Sequence, residues 1–391
     1  MARVLFVTGS LCHGGAERHS IALMNRLAQR RHECHAVHVK SGADQLPRIR
    51  LRGAATVRSL DAARYFDWAA LRRFAAHLGR IEPAAIVAAN PYALLYAALA
   101  MRLAHRRVPM IVTFHSSRLL GWKEQLQMAA YRLLFWGADC TVFVCESQRG
   151  YWRARGVFSR RSEVIHNGVD TAAFSSARDA GAGARVRAAL GFRDTDYVIG
   201  LAAVLRPEKN PLQLVDAIAL LRARGIPAKA LIIGDGPMRS AVEARARERR
   251  VANDVVITGY EQDVRPHIAA CDVMALCSLT EAFSLVGLEA MAMGKPVVHS
   301  DVGGAAEMIS AGHNGALFPA GDSAAFASAL EALADRGSSR RMGRNARRVV
   351  EARFSERTMV DRYEKLLLEL CGAPARPAEV VNGDGQTARD F

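Results

Sequence analysis

Two glutamates, Glu281 and Glu289, are separated by seven residues and stand at the ends of an otherwise mostly apolar segment. The pattern predicts a helix from about Ser284 to Met293 that stops at Gly294, ahead of a strand. A carboxylate in a buried helix is costly unless it is hydrogen-bonded, so Glu289 requires a polar partner. The vicinal hydroxyls of a ribose match its two oxygens, and nucleotide binding is therefore the first hypothesis.

The start of this predicted helix favours an anion. The free backbone amides of Ser284, Leu285 and Val286 are oriented to hold a phosphate or a sugar hydroxyl. Glu281 lies just before the helix, where it can touch a transferred sugar. In the alternative interpretation Glu281 is a surface loop residue and Glu289 pairs with a nearby arginine. The spacing alone does not separate the two.

Glycines mark two other places where a predicted strand gives way to a helix. Gly14 and Gly15 follow the first strand, and adjacent glycines allow the backbone to approach a phosphate or a sugar closely. The stretch from Gly234 to Pro237 follows a later strand, and it also fits a plain strand–helix turn. The G-x-G-x-x-G spacing is absent, which argues against a nicotinamide enzyme.

Short apolar runs alternate with stretches of helix length, which predicts an α/β fold of parallel sheets covered on both faces. Two such series predict two doubly wound, Rossmann-like domains facing across a cleft, with ligands beyond the carboxyl ends of the strands. The predicted strands are 4–7, 36–39, 85–88, 110–114, 141–144, 163–165, 198–203, 230–233, 255–258, 273–276, 297–299 and 316–318. The predicted helices of the first half lie near 17–29, 68–78, 92–104, 123–135 and 147–153.

The domains are expected at 1–172 and 173–353, because the Gly/Ala/Ser-rich stretch 175–183 is typical of a linker. Residues 354–370 have helical apolar spacing, and 372–391 are expected to form a disordered tail. We interpret His13 and His166 as loop or turn residues. The dipeptide Asn167-Gly168 predicts a turn.

Composition narrows the class of protein. A chain of 391 residues suits two domains, and no apolar run approaches the ~20 residues of a membrane span. The first apolar run predicts a strand rather than a signal peptide. The seven cysteines include no CxxC pair, so we expect reduced thiols in a cytoplasmic protein and no zinc site.

Charge is distributed unevenly. Residues 1–170 hold 25 Lys and Arg against 11 Asp and Glu, nearly all of the net charge of +15. The stretches 65–80 and 122–136 combine aromatic and basic residues, as helices that lie on anionic membranes do. The alternative for each is a core-facing helix with a solvated basic face. The charge alone fits nucleic acid, anionic lipid or phosphorylated acceptors, and of these an anionic membrane surface is the expected partner of the first half.

The frame E-A-F-S-L-V-G-L-E-A-M-A-M-G-K-P-V-V from Glu281 resembles the signature of the family-4 retaining glycosyltransferases, which have the GT-B fold. Supporting motifs occur in order: G-G-A-E-R from Gly14, H-N-G-V-D from His166, R-P-E-K-N from Arg206, G-D-G-P from Gly234 and D-V-G-G from Asp301. The likeness covers about residues 3–370.

The resemblance assigns roles to individual residues. It implies that Glu289 binds the ribose, that Glu281 contacts the donor sugar and that Lys209 binds the diphosphate. His115, after the strand 110–114, corresponds to the family's histidine near the reacting sugar. Further contacts with the nucleotide sugar are expected from residues that belong to the matched motifs: Gly14, Gly15, Gly234, Phe283, Ser284 and Leu285.

One position departs from the family. Its usual arginine, five residues before the lysine, is Val204 here. Arg206 lies two residues on and projects from the same face of an extended segment, so it is expected to substitute. The alternative is that Arg206 is an ordinary surface charge.

The resemblance implies a retaining hexosyl transfer from a UDP- or GDP-sugar to a saccharide or lipid-linked acceptor in cell-surface glycan synthesis. The N-terminal domain would bind the acceptor, and helix 354–371 would pack back on it. No metal-ligand cluster is visible, so no metal or other cofactor is expected; Lys209, Arg206 and helix-start amides would stabilise the leaving diphosphate. With no carboxylate pair set for double displacement, front-face transfer is favoured.

Two alternatives remain. A sugar-nucleotide epimerase of the same fold would need no acceptor. A nucleic-acid-binding protein would fit the pI of about 10.0, but no recognised binding motif appears, and we expect no nucleic-acid partner.

Overall fold

A parallel sheet of seven strands forms the N-terminal domain of the computed structural model, which describes residues 1–12, 14–116, 122–176 and 181–372. The strands are β1 (Arg3–Thr8), β2 (Glu33–His38), β3 (Val57–Ser59), β4 (Ala85–Ala89), β5 (Met110–Phe114), β6 (Cys140–Phe143) and β7 (Arg161–Val164). Their order is β3-β2-β1-β4-β5-β6-β7, and adjacent strands run parallel. The helices between them are α1 (Gly15–Gln29), α2 (Trp68–Ile81), α3 (Asn90–Leu103), α4 (Trp122–Trp136) and α5 (Glu146–Arg153).

The C-terminal domain repeats this plan with six strands. They are β8 (Tyr197–Ala202), β9 (Ala228–Ile233), β10 (Val255–Gly259), β11 (Val273–Leu276), β12 (Val297–Ser300) and β13 (Gly315–Phe318), in the parallel order β10-β9-β8-β11-β12-β13. The helices of this half are α6 (Ala182–Ala189), α7 (Pro211–Ala223), α8 (Arg239–Glu248), α9 (Arg265–Ala270), α10 (Leu285–Ala292), α11 (Ala305–Met308), α12 (Ser323–Glu331), α13 (Arg336–Arg353) and α14 (Glu356–Leu370).

The prediction of two doubly wound α/β domains is confirmed. Every residue of β4, β5 and β8 is buried, because helices cover both faces of the sheets, and such strands consist of near-continuous apolar residues. Strand order reverses between β1 and β4 and again between β8 and β11. Ligands bind beyond the strand ends at such switch points.

Two details of the expected organisation are wrong. Strand β3 was not predicted, because it is only three residues long and half-buried and so has no apolar run. The predicted linker ends too late, since α6 begins at Ala182 and packs against α9: a Cβ on Gly183 would lie 2.7 Å from the backbone of Ala269. Of that stretch, residues 177–180 lie outside the described residues, as do His13 and the predicted tail from 373 onward.

The chain passes twice between the domains, and the two passages lie side by side. Val169 donates its amide to Phe354 O at 3.0 Å, and Glu356 donates to Val169 O at 2.9 Å. Helix α14 then packs on the N-terminal domain, where its apolar face joins one core with α1 and β1. Arg30 of α1 pairs with Glu364 of α14 at 2.7 Å, which adds a polar link at the edge of that core.

Candidate functional site

Helix α10 positions the two glutamates of the signature. It begins one residue later than predicted, at Leu285, because Ser284 is the N-cap and its hydroxyl accepts a hydrogen bond from Gly287 N at 3.2 Å. The first backbone bond of the helix is donated by Leu288 to Ser284 O. The amides of Leu285 and Val286 precede that bond and belong to the unsatisfied first turn.

Glu289 lies one turn inside α10, and its carboxylate is only 2% exposed. Its partner is the guanidinium of Arg18, which comes from α1 in the opposite domain. The pairing with an arginine, which was the alternative interpretation of Glu289, therefore occurs, and it crosses the domain boundary. The second oxygen, Oε2, is buried and has no hydrogen-bond partner among the described residues.

Burial raises the pKa of Glu289, and the charge and hydrogen bond of Arg18 counteract this only in part. A buried carboxylate oxygen without a partner is costly, and natural proteins retain one mainly where a ligand or water completes the site. One oxygen of Glu289 thus lies at the domain boundary with its hydrogen-bonding capacity unsatisfied by the described residues.

Glu281, four residues before α10, forms an ion pair with Lys209. Lys209 ends a 3-10 turn, Pro207–Lys209, in the loop that follows β8. The loop is held against the signature segment, since Leu279 donates its amide to Glu208 O at 2.8 Å. Glu281 is 20% exposed and lies in a loop, as the alternative interpretation had it, but its carboxylate is paired with Lys209.

Glycine makes two close backbone approaches possible at this site. Gly303 has a φ of 58°, and a Cβ there would lie 1.9 Å from Glu281 O. Gly234 has a φ of 140°, and a Cβ would lie 2.0 Å from Ala203 O, in the loop that carries Lys209. Both positions require glycine for conformation and for space, and both set the backbone around the Glu281–Lys209 pair.

Arg206 does not join the ion pairs around α10 among the described residues. Its side chain is 58% exposed, and its salt bridge is to its neighbour Glu208 at 3.9 Å. Val204 is half-exposed beside it. In this arrangement Arg206 is placed as the surface charge that the sequence also allowed.

The glycines near the N-terminus lie opposite the signature segment. Gly14 is the N-cap of α1 in an extended conformation, and no side-chain cap fills the start of that helix. A Cβ on Gly15 would lie 3.9 Å from Leu285 Cδ1. The starts of α1 and α10 therefore face each other across the domain boundary.

His115 follows β5, as predicted, and is enclosed by polar neighbours. Its amide donates to Asn90 Oδ1 at 3.0 Å, and its ring meets that of His19 edge-on, with centroids 4.6 Å apart. His19 Nε2 lies 3.2 Å from the hydroxyl of Tyr363 in α14. Burial lowers the pKa of His115 well below the ordinary value and that of His19 to about 4, so both rings are neutral at pH 7.

The segment from His166 contributes more than a turn. Asn167 is buried and donates to Phe283 O at 2.9 Å, which ties the domain junction to the signature segment. His166 Nε2 lies 2.8 Å from Glu307 Oε2, and the two Glu307 oxygens also accept the amides of Glu146 and Ser147 at 3.1 Å. Glu307 of the C-terminal domain thus caps α5 of the N-terminal domain.

Sequence reasoning assigned no role to Arg18, His19 or Glu307. Arg18 belongs to the G-G-A-E-R motif, but no sequence pattern indicates that position 18 lies near position 289 in the fold. His19 and Glu307 carry no local signal, because their partners come from other elements. Among the described residues, no group of three or more His, Cys, Asp or Glu side chains is arranged to hold a metal ion. No described helix is long and apolar enough to cross a membrane.

Family models match both halves of the chain: Glycosyltransferase Family 4 over residues 13–173 and Glycosyl transferases group 1 over residues 184–349. The GDP-mannose-dependent alpha-(1-6)-phosphatidylinositol monomannoside mannosyltransferase of Mycolicibacterium smegmatis is 33% identical over 73% of this chain and 76% of its own length. The putative glycosyltransferase EpsD of Bacillus subtilis is 33% identical over 62% of each chain. This chain therefore spans less than two thirds of the length of EpsD.

Solved structures share the whole fold. HepE of Anabaena, in complex with UDP and glucose, matches with a TM-score of 0.82 at 22% identity, over 94% of this chain and 100% of that one. The sucrose-phosphate synthase of Thermosynechococcus elongatus matches with a TM-score of 0.77 at 21% identity, over 95% and 99%.

Two Rossmann-like domains that meet at the carboxyl ends of their strands, with paired acidic and basic side chains around one helix start, define the class of the GT-B glycosyltransferases. Within that class the chain belongs to glycosyltransferase family 4, as the family models and the Mycolicibacterium relative show. The resemblance drawn from the signature segment is confirmed.

Proposed function

We propose that the protein is a retaining, metal-independent hexosyltransferase that uses a UDP- or GDP-sugar. The observation that carries this proposal is the unpartnered, buried Oε2 of Glu289 at the domain boundary. A carboxylate with one oxygen held by Arg18 and the other free is suited to accept hydrogen bonds from ribose hydroxyls.

The order of groups around α10 matches the order of groups in a nucleotide sugar. Glu289 lies one turn inside the helix, the first-turn amides of Leu285 and Val286 follow, and Glu281 with Lys209 lies before the helix. A donor with its ribose at Glu289 places its diphosphate at the amides and its hexose at Glu281. Phe283 lies between the amides and Glu281, and Gly234 shapes the loop behind Lys209.

The chemistry needs stabilisation of negative charge on the leaving diphosphate. Lys209 and the amides at the start of α10 supply it by position and charge, as preorganised donors do in a site with little water. Glu281 keeps Lys209 oriented until the donor arrives. The neutral ring of His115 adds a hydrogen-bonding group without a charge, beside which the hexose reacts on the face from which the diphosphate leaves.

The relatives do not decide whether the base of the donor is uracil or guanine. HepE was solved with UDP and glucose, whereas the Mycolicibacterium relative is described as GDP-mannose-dependent. The loops that choose base and sugar differ most between such enzymes, so we propose the donor as a UDP- or GDP-hexose.

The acceptor is proposed to be a saccharide or lipid-linked glycan at the cytoplasmic face of a membrane. The N-terminal domain exposes an apolar surface formed by five large side chains: Phe66, Trp68, Leu126, Leu133 and Trp136. Phe66 and Trp68 form one part of this surface, and the three side chains of α4 form the other. The two parts adjoin, because Gln127 of α4 donates to the hydroxyl of Tyr65 at 2.7 Å. Exposed residues of α4 from 125 onward carry no charge.

Basic residues accompany this apolar surface. The guanidinium of Arg72 lies 5.6 Å from the ring centroid of Trp68, and residues 1–170 carry nearly all of the net positive charge. Aromatic and leucine side chains that insert among headgroups, with arginines that meet anionic lipid, are typical of peripheral membrane surfaces. We propose an anionic bilayer as the partner of this surface.

Donor binding and turnover test the enzymatic proposal directly. Purified protein is incubated with a panel of radiolabelled UDP- and GDP-sugars, with and without EDTA, and transfer or slow donor hydrolysis is followed. Activity that survives EDTA is expected. Glu289→Ala and Glu289→Gln should lower kcat/KM about a hundredfold or more, because the ribose loses charge-assisted hydrogen bonds.

Glu331→Ala is the matched control, since Glu331 forms a surface pair with Arg224 on a remote helix. It should retain wild-type activity. Full activity of both Glu289 variants would refute the donor site. Conversion of the donor sugar without any acceptor, followed by NMR, would identify an epimerase instead.

A further inference from the structure

Arg18 extends from one domain into the binding site of the other. It lies in the first turn of α1, where its amide donates to Gly14 O at 3.1 Å, and its guanidinium reaches Glu289 of α10. The Arg18 side chain is 37% exposed, whereas the Glu289 carboxylate is 2% exposed. The guanidinium therefore contacts the buried carboxylate from the open side of the boundary.

The two helices meet start to start. Gly15, the first residue of α1, faces Leu285, the first residue of α10. Arg18 is three residues after Gly15, and Glu289 is four residues after Leu285, so the ion pair lies about one turn inside each helix. The first turn of α1 and the first amides of α10 consequently border the same space as the Arg18 guanidinium.

The order of groups in a nucleotide sugar indicates which group would lie between the starts of α1 and α10. The diphosphate lies between ribose and hexose, and the residues proposed for those groups, Glu289 and Glu281, are each four positions from Leu285. Each carboxylate is already paired with a cation: Glu289 with Arg18 and Glu281 with Lys209. The two cations thus flank the place of the diphosphate from opposite domains.

We propose that Arg18 is a diphosphate-binding residue that neutralises Glu289 in the empty protein and moves to the diphosphate when ribose binds. Arg18 provides the second cation for the diphosphate. The family's usual arginine is replaced by Val204 here, and Arg206 is turned to solvent beside Glu208 in this structure. Because the N-terminal domain delivers Arg18, donor binding also draws the two domains together. This role rests on the proposed function, since it requires a nucleoside diphosphate in the site.

The test compares ligands with and without the diphosphate. Dissociation constants for UDP, uridine, GDP and guanosine are measured by ligand-detected NMR and calorimetry on wild type, Arg18→Ala and Arg18→Lys. Arg106→Ala is the matched control, because it removes the same charge from the same domain at a surface pair with Glu82. Thermal unfolding verifies that each variant is folded.

The deciding quantity is the ratio of the diphosphate Kd to the nucleoside Kd for the base that binds. In Arg18→Ala this ratio should rise about tenfold or more, as expected when a charge-assisted contact to phosphate is lost. The nucleoside alone should bind at least as well, because no ion pair has to be broken. Arg18→Lys should give a smaller rise, and Arg106→Ala should leave the ratio unchanged.

A ratio that changes less than about threefold in Arg18→Ala would overturn the proposal, whether both ligands weaken together or neither does. That result would leave Arg18 as a structural partner of Glu289. Wild-type protein that binds no nucleoside diphosphate would instead refute the proposed function itself, so the two failures are distinguishable.

Discussion

At the scale of single residues, the site is built from groups whose charge depends on burial. Glu289 is retained in an apolar helix with one oxygen paired and the other free. His19 is buried, His115 is half-buried beside it, and neither has a carboxylate partner in the described structure. Burial disfavours the charged form of each group, which keeps the two imidazoles neutral beside the proposed reaction centre.

Acid stability tests the state of His19. Its pKa is ordinary in the unfolded chain and about 4 in the folded protein, so protons bind preferentially to the unfolded state between these values. The stabilising contribution is present above about pH 6.5 and is lost as pH falls toward about 4, a change of roughly 3 kcal/mol for His19. Urea denaturation across this range should therefore show a flatter pH profile for His19→Gln.

His313→Gln replaces an exposed histidine and provides the control, with a profile expected to follow that of the wild type. Equal pH slopes for wild type and His19→Gln would show that His19 does not titrate between the folded and unfolded states in this range.

At the scale of elements, α4 has two unlike faces. Its inner face buries Met128, Tyr131 and Phe135 in the N-terminal core, while Leu126, Leu133 and Trp136 project outward. The core-facing side of the alternative interpretation is confirmed, but the exposed residues from 125 onward form no basic face, and membrane binding stays a prediction. A helix face that only contacts water is normally polar, whereas the outer face of α4 is apolar.

Substitution on that outer face tests the membrane proposal. Leu133→Glu combined with Trp136→Glu should lower binding to vesicles containing anionic phosphatidylglycerol about tenfold or more, because the apolar side chains no longer partition and the added charges are repelled. Flotation of protein with vesicles measures the bound fraction. Both side chains are exposed, so the fold should be retained.

Leu220→Glu, at an exposed position of α7 in the other domain, is the control and should bind as wild type does. The membrane proposal fails if wild-type protein binds anionic vesicles no better than neutral ones, or if the double variant binds unchanged.

At the scale of the whole molecule, the domains are linked by contacts that converge on the signature segment. Arg18 meets Glu289 and Asn167 meets Phe283 in that segment, and outside it Glu307 caps α5. Although burial alone would raise the pKa of Glu307, the hydrogen bonds from His166 and from the amides of Glu146 and Ser147 lower it. The carboxylate therefore remains charged and holds the first turn of α5.

Removal of that cap should loosen the domain contact. In Glu307→Ala the amides of Glu146 and Ser147 lose their acceptor, and their hydrogen exchange should accelerate about tenfold or more, as lost protection of a marginal region predicts. Glu351→Ala, which removes a surface pair within α13, is the control. Unchanged exchange at both amides would mean that the Glu307 contact is not maintained in solution.

The amino-acid sequence by itself determined the two α/β domains, the placement of α10 and the family. These follow from local patterns: apolar runs that form buried strands, and a motif whose residues lie within one loop and one helix. Glu281 and Glu289 were proposed from that motif, and Lys209 was proposed from the family resemblance. Strand β3 was missed because three half-buried residues carry no periodic signal.

Only the tertiary structure decided which charges meet. The pairs Arg18–Glu289 and Lys209–Glu281 join positions 271 and 72 residues apart, and no local pattern encodes the distance between such side chains. The burial of Asn167 and the cap from Glu307 likewise depend on how the two domains pack, and the exposure of Arg206 depends on how its own loop folds. Such long-range partners are set by the folding of the whole chain, because Arg18 and Glu289 meet only where the domains pack, and Lys209 and Glu281 meet only where two loops of the C-terminal domain pack.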